Sequence, residues 1–284
     1  MTKVSVIIPA YNAAKFIRET LDCIFAQTYP DFEIIVVDDG STDGTVDILK
    51  SYGDRVRWTV QNHEGQAYAL NRGIGMATGE YLAYFDADDI MLPTKLEVQA
   101  RYLDEHPEVD VVYSNMLQTE PGEGTRLIQY SRIDPFLLLQ TCRVSRITIV
   151  QRRACVERIG LFNGKITGTD DWDMWVRMSE RCRMAFIDQA LSEYRIHGEN
   201  ISRRRRKPQN HVRYARLVIV RGACARRGKP LWLRMMVLSA TIGWIVGKLP
   251  IVGERFVIDR VQLLAERLLL RWAASDPQPP SAFT

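Results

Sequence analysis

Short β-branched runs alternate with helical stretches from about residue 4 to residue 114, and few folds accept that alternation. Residues 4–8 (Val-Ser-Val-Ile-Ile) read as a strand, followed by a loop at 9–12 and a helix over roughly 14–27. Glu33-Ile34-Ile35-Val36-Val37 is almost continuously apolar, the pattern of a strand buried on both faces of a parallel sheet. Gly40-Ser41-Thr42-Asp43-Gly44 is a loop, in which Asp43 or Thr42 can cap a helix reaching Lys50. Residues 56–60 and 81–85 are further strands, with a helix over 64–76 between them. After Pro93 a helix runs to about Glu105 and leads into a strand at 109–114. Strands alternating with helices specify βαβ units with right-handed crossovers, hence an α/β fold on a parallel sheet.

In such a sheet, ligands bind beyond the carboxyl ends of the strands. Three strand ends here are polar: Pro9-Ala10-Tyr11-Asn12, Asp38-Asp39-Gly40-Ser41 and Asp86-Ala87-Asp88-Asp89. They should converge on one edge. The last places three carboxylates within four residues, which is unfavourable unless a cation or water neutralises them. Mg²⁺ and Mn²⁺ prefer oxygen ligands and typically take one or two carboxylates plus substrate phosphates. Alone, Asp-x-Asp also fits an acidic turn that ends a strand. Convergence with the other two ends turns it into a site.

At 284 residues the chain is long enough for one large domain or two small ones, and its 25% charged and 46% hydrophobic content is ordinary for a soluble globular protein. The net charge of +4 is a mild excess, so nucleic acid is not expected as a partner. Five scattered cysteines (Cys23, Cys142, Cys155, Cys182, Cys224), odd in number and without Cys-x-x-Cys spacing, argue for reduced thiols in a cytosolic compartment. Lys3 leads straight into an apolar strand, so no signal peptide is expected.

Residues 115–168 are less regular, with Pro121-Gly122-Glu123-Gly124 expected as an exposed loop. Gly168-Thr169-Asp170-Asp171-Trp172-Asp173-Met174-Trp175 starts a helix to about Arg181, followed by a strand at 184–187 and by Tyr194-Arg195-Ile196-His197. Beyond Ser202 the pattern is helical, broken near Gly228-Lys229-Pro230 and Leu249-Pro250. The apolar segment 235–246 is bracketed by Arg234 and Lys248 and falls short of the roughly 20 residues a spanning helix needs. A packed or interface-lying helix suits it better. The Pro- and Ser-rich tail, 275–284, reads as disordered.

Six stretches in order resemble family 2 glycosyltransferases: Ser5-Val6-Ile7-Ile8-Pro9-Ala10-Tyr11-Asn12, Val36-Val37-Asp38-Asp39-Gly40-Ser41-Thr42-Asp43-Gly44-Thr45, Ala69-Leu70-Asn71-Arg72-Gly73-Ile74, Phe85-Asp86-Ala87-Asp88-Asp89, Asp170-Asp171-Trp172-Asp173 and Tyr194-Arg195-Ile196-His197. The resemblance covers about residues 3–202 and does not reach the C-terminal third. It implies a glycosyltransferase-A fold, a mostly parallel sheet flanked by helices, here with a C-terminal helical extension. It also implies a nucleotide-sugar donor, a divalent cation (Mn²⁺ or Mg²⁺) and inversion at the anomeric carbon. Residues 1–202 are then the catalytic domain, 203–274 a helical region open to membrane association, and 275–284 the tail.

By this resemblance, Pro9, Ala10 and Tyr11 form the wall against which a nucleobase packs, Tyr11 having an ordinary loop aromatic as its alternative. Asp39 accepts from the base or ribose, and Asp38 holds the loop shape. Asp86 hydrogen-bonds the ribose, Asp88 binds the metal that bridges the diphosphate, His197 adds an imidazole ligand, and Asp89 braces the loop. Gly65 allows close backbone approach to a ligand, and Asn71 and Arg72 either reach the nucleotide or form a solvated helix face. The base that takes the acceptor's proton comes from the pair before Trp172. Asp170 stands where the family has Glu, and its shorter side chain leaves open whether it or Asp171 faces the acceptor; motif position favours Asp171. Trp172 and Trp175 read as packing or as a sugar platform.

The basic stretch Arg203-Arg204-Arg205-Arg206-Lys207 either clamps diphosphate, lies on anionic lipid or is simply solvated. The expected donor is a UDP-sugar, and the expected acceptor a saccharide or a lipid-linked glycan of envelope polysaccharide synthesis. The expected location is the cytoplasm, with peripheral association at the inner face of the cell membrane. A nicotinamide dehydrogenase would need Gly-x-Gly-x-x-Gly after the first strand, where Pro9-Ala10-Tyr11-Asn12 stands. A hydrolase with paired carboxylates is a second rival, and a nucleotidyltransferase lacks support because no Gly-rich phosphate loop with Lys is present. A nucleotide-sugar-binding protein without catalysis remains the alternative, against which Asp88 and Asp171 argue.

Overall fold

The computed structural model describes residues 3–133, 138, 144–166 and 170–200. The helices expected beyond Ser202, the basic stretch 203–207, the apolar segment 235–246 and the tail lie outside the described residues.

The strands are β1 (Val4–Ala10), β2 (Phe32–Asp38), β3 (Arg57–Val60), β4 (Tyr81–Tyr84), β5 (Ile90–Met91), β6 (Val111–Glu120), β7 (Gly124–Ile128), β8 (Ile149–Arg152) and β9 (Met184–Arg195). Six helices accompany them among the described residues: α1 (Ile17–Phe25), α2 (Thr45–Ser51), α3 (Gln66–Met76), α4 (Lys95–Glu105), α5 (Arg153–Ile159) and α6 (Asp170–Arg181). The strands form one sheet in the order β3-β2-β1-β4-β8-β6-β9-β5, with β7 paired to β6.

The half made of β3, β2, β1 and β4 is parallel throughout, as the apolar runs require. Every residue of β1 is buried, so the strand carries no solvent face and its sequence shows no alternation. Each fully buried Val or Ile of this kind contributes about 1.5–3 kcal/mol. Helix α3 lies close over this half: a Cβ on Gly73 would drive into Ile7 Cγ2 and come within 3.6 Å of Val37 Cγ2. Helix α1 turns Ile17, Thr20, Leu21 and Ile24 inward at helical spacing. It begins at Ile17 rather than near residue 14 because the preceding turn is held from outside. Thr45 Oγ1 accepts the Ala13 N–H at 2.9 Å and Asp43 Oδ2 accepts that of Ala14 at 3.0 Å.

The other half is mixed. β8 enters antiparallel between β4 and β6, and β9 runs parallel to β6 but antiparallel to β5. The middle of the chain is more ordered than its composition suggested. Pro121 to Gly124 forms the turn of a β6–β7 hairpin, with Gly122 and Gly124 at positive φ. β9 does not stop at residue 187 but continues to Arg195, because β6 goes on pairing with it beyond an irregularity at Ser114/Asn115.

The cysteine expectation is corrected in one respect. Cys155 on α5 and Cys182, just past α6, are joined in a disulfide with Cα atoms 6.5 Å apart. They lie 27 residues apart in sequence, so no local spacing announced the pair. The cysteine pattern therefore no longer argues for a reducing compartment. No helix among the described residues is long and apolar enough to cross a membrane.

Candidate active site

Strand register sets three polar ends side by side. Ala10 pairs with Asp38 across β1 and β2, while Ile7 pairs with Tyr84 across β1 and β4. Asp39 donates its N–H to Ala10 O at 2.7 Å, and Phe85 donates to Ile7 O at 3.0 Å, which fixes the loops that follow each strand.

At the β1–β2 end, Pro9 and Ala10 are buried within the sheet and only Tyr11, 45% exposed, presents a ring to the cleft. His63, which nothing in the sequence singled out, packs on that ring with centroids 4.2 Å apart. Asp38 holds its own loop, as expected: Oδ1 accepts the Ser41 N–H at 2.9 Å and Oδ2 the Ser41 hydroxyl at 2.5 Å. Asp39 is more heavily used than expected. Its Oδ1 accepts from Gln61 Nε2 and Glu64 N at 2.7 Å each, and its Oδ2 from Gly65 N at 3.0 Å. Gly65 sits at φ +106 immediately before α3, a conformation that favours glycine, and its N–H is committed to Asp39. Asp39 thus ties the β3–α3 loop, which carries His63, to the end of β2.

At the β4 end, Asp86, Asp88 and Asp89 diverge. Asp89 is fully buried; its Oδ1 accepts the Arg195 N–H at 2.9 Å, and Thr20 Oγ1 donates to its carbonyl. Burial, then Asp88 and Asp86, push its carboxyl well above the usual carboxylate range, consistent with a bracing role. Asp88 faces His197, with Nε2 3.0 Å from Oδ2. Burial first and the neighbouring Asp86 second raise the Asp88 carboxyl, while His197 opposes them. Asn200 Nδ2 lies 3.3 Å from Asp88 Oδ2, and Asn200 Oδ1 accepts the His197 N–H at 2.6 Å. Phe16 stacks on the imidazole from the other side, 4.2 Å between centroids.

These residues fit a divalent cation. Two ligand atoms face one another at a half-buried carboxylate whose charged form desolvation and a neighbouring carboxylate disfavour. No group of three or more His, Cys, Asp or Glu side chains among the described residues is arranged to hold a metal by itself. A cation held by Asp88 and His197 would therefore need further ligands from outside the protein, such as substrate phosphates and water.

The two acids expected on the acceptor side, Asp170 and Asp171, open α6. Asp170 is 4% exposed and lies 3.5 Å, through Oδ2, from Arg146 Nη1. Asp171 is half-buried, with Oδ1 accepting the Trp172 N–H at 2.8 Å, and burial pushes its carboxyl up to about 6. Arg146 draws it down while Asp170 and Asp86 raise it. The same Arg146 donates from Nη2 to Asp86 Oδ1 at 2.7 Å. Among the described residues every hydrogen bond that the Asp86 carboxylate accepts, including the one from Gln66 Nε2, goes to Oδ1, which leaves Oδ2 for a ligand.

Trp172 and Trp175 are both buried, their indole N–H groups donating to Leu138 O and Val144 O, so neither is a sugar platform. Asn71 is committed to a backbone partner. It exchanges two 2.9 Å hydrogen bonds with the backbone of Phe162, in the loop that leads to Asp170, while Arg72 is exposed.

Comparison with known proteins bears on the family and the fold. The family described as Glycosyl transferase family 2 matches residues 5–156. An uncharacterized glycosyltransferase of Rickettsia felis is 32% identical over 220 residues, covering 73% of this chain and 36% of the relative. The aligned stretch thus spans little more than a third of that relative's length. The structure of S. aureus TarS 1–349 in complex with UDP-GlcNAc matches with a TM-score of 0.65 at 23% identity, over 78% of this chain and 66% of that one. The mannosyltransferase PcManGT of Pyrobaculum calidifontis, in complex with GDP-Man and Mn²⁺, matches with a TM-score of 0.57 at 20% identity, over 96% and 79%. At these identities the two structures speak for the glycosyltransferase-A fold, and the family match with the Rickettsia relative settles the kinship: the chain belongs to glycosyl transferase family 2.

Proposed function

We propose that this chain is a metal-dependent inverting glycosyltransferase. It would move a sugar from a nucleoside diphosphate sugar, a UDP-sugar first among the candidates, to a hydroxyl of a saccharide or lipid-linked acceptor. The observation that carries this is the juxtaposition of two acidic groups by one buried arginine: Asp86 at the end of β4 and Asp170 at the start of α6 both meet Arg146. In this reading a donor site and, beside Asp170, a base would share one cleft. The UDP-GlcNAc bound to TarS and the GDP-Man with Mn²⁺ bound to PcManGT support the donor class and the cation.

In this scheme the base packs on Tyr11 beside His63, over the loop tied by Asp39, and Asp86 Oδ2 accepts from the ribose. Asp88 and His197 hold the Mn²⁺ or Mg²⁺, whose bound charge would stabilise the departing diphosphate, an effect of several kcal/mol in such roles. The acceptor oxygen attacks the anomeric carbon while the bond from that carbon to the diphosphate oxygen breaks, its electron pair leaving with the diphosphate. Asp171 takes the acceptor's proton. Arg146 lies 3.5 Å from Asp170 and acts on Asp171 through its charge alone, which favours Asp171 as the base. A lipid-linked acceptor and a peripheral position on the inner face of the membrane draw on Arg203–Lys207 and the segment 235–246, and co-sedimentation with anionic vesicles would test them.

The test is calorimetric titration with UDP, GDP and dTDP, each with and without Mn²⁺, on the wild type and on Asp88→Ala. Metal-dependent binding of one nucleotide, lost in the variant, supports the donor site and names the base. Binding that ignores both the metal and the substitution overturns it. Asp171→Asn should keep nucleotide binding and lose transfer, which separates an enzyme from a binding protein.

A further inference from the structure

Nothing in the sequence drew attention to Arg146, yet it is among the most heavily used side chains of the cleft. It sits in a single 3-10 turn, Arg146–Thr148, directly before β8. Trp175 of α6 holds the approach to that turn through Val144 O, at 3.1 Å. The residue is 7% exposed, and its guanidinium sends Nε and Nη2 to the same Asp86 oxygen, at 3.2 and 2.7 Å, and Nη1 toward Asp170. Burial alone would weaken the charged form; Asp86, Asp170 and Asp171 outweigh it and hold the group charged. A planar fork is suited to this double grip, where a lysine's single ammonium is not.

We propose that Arg146 is a positioning residue of the transfer reaction, which locks Asp86 and Asp170 at a fixed separation across the cleft and offsets their charge beside Asp171. This deepens the function proposed above and rests on Asp171 being the base. Among the described residues the charged groups acting on Asp171 are Arg146 from the 3-10 turn, Asp86 from the end of β4 and Asp170 from its own helix. Asp173, one turn further along α6, is paired with Arg177 at 2.8 Å. Remove the guanidinium, and the two remaining carboxylates make it harder for Asp171 to ionise. Remove the charge of Asp170 instead, and Asp171 ionises more readily. The two substitutions therefore push the acid limb of the pH–rate profile in opposite directions, a signature that loss of packing alone does not produce.

The experiment uses the full chain as Arg146→Gln, Arg146→Lys, Asp170→Asn and Asp171→Asn. Thermal melting, nucleotide titration and kcat/KM from pH 5 to 8 are read for each. The expected result is that Arg146→Gln moves the acid limb to higher pH by about one pH unit or more, and Asp170→Asn moves it lower. Arg146→Lys should leave the limb near its wild-type position but lower kcat, because the charge stays and the fork is lost. If Arg146→Gln fails to fold, Arg146→Lys and Asp170→Asn still decide the matter. Acid limbs that stay at the wild-type pH in all the folded variants, with Asp171→Asn inactive, overturn the role of Arg146 and leave Asp171 standing. Transfer that survives Asp171→Asn overturns the base assignment instead.

Discussion

His197 Nε2 lies 3.0 Å from Asp88 Oδ2, although 109 residues separate the two in the chain. β9 makes the contact. It runs beside β6 and antiparallel to β5, and at its end Arg195 donates to Asp88 O at 2.6 Å and to Asp89 Oδ1 at 2.9 Å. Asn200 then folds the following turn back onto both partners. The pairing therefore depends on where a strand ends, and the last residue of β9 clamps the acidic turn while presenting the imidazole.

This arrangement predicts that His197→Ala lowers Mn²⁺-dependent nucleotide affinity by about tenfold or more while the protein still melts cooperatively. Asn200→Ala should do the same more weakly, since Asn200 holds the His197 backbone and lies 3.0 Å from the imidazole Nε2 without being a candidate ligand. Calorimetry in the presence and absence of Mn²⁺ separates the two effects.

Asp171 predicts a pH dependence. Its carboxyl is raised by burial to about 6, and a base must be ionised to accept a proton. Wild-type kcat/KM should therefore rise with pH and level off above about 6, standing roughly tenfold below the plateau one pH unit lower. The stability effect has the opposite sign. The folded state holds this proton more tightly than the unfolded chain, so the contribution of Asp171 to stability falls as pH rises from about 4 to about 6. Asp171→Asn removes that fall, as denaturant melts at pH 4 and 7 would reveal.

Asn71 predicts a loop effect. Replacing it with Leu deletes both hydrogen bonds to Phe162 and strands the N–H and C=O they satisfied. The expected cost is about 1–3 kcal/mol in urea unfolding. Acceptor KM should rise while nucleotide affinity holds, because the loop leads to Asp170 and not to the nucleobase end.

Lys95 is fully buried in α4, with Gln99 Oε1 as the hydrogen-bond acceptor of its ammonium, and burial pulls its pKa down from 10.5 to about 7. Between those two values the unfolded chain carries a proton that the folded chain has released, so folding is favoured increasingly as pH rises through that window. Lys95→Met removes the dependence. The wild type should gain melting temperature relative to the variant between pH 7 and pH 9, and a constant difference across that range would show that Lys95 keeps its ordinary basicity.

How much of this was legible depended on the distance between partners in the chain. β1, β2 and β4 could be read because strands buried on both faces leave unbroken apolar runs, and the polar residues that follow each run mark its carboxyl end. Asp38 could be assigned to its own loop because Ser41, its partner, is three residues away. Asp39 could not, since three of the groups it binds come from the loop after β3. Asn71 fitted a nucleotide contact as well as a loop anchor until α3 was placed beside Phe162. His63, Arg146 and Asn200 stood outside every motif, and the disulfide between Cys155 and Cys182 ran against the scatter of the cysteines.

The sequence by itself determined the parallel half of the sheet, the edge on which its polar strand ends meet and the acidic residues of the cleft. Local periodicity and strand polarity are properties of neighbouring residues, and a linear reading captures them. Only the tertiary structure decided that Arg146 joins Asp86 to Asp170, that His197 faces Asp88 and that Asp171 is raised by burial. Charge pairing and desolvation are set by distances in space, and those distances exist only once the mixed half of the sheet has formed beside the parallel one.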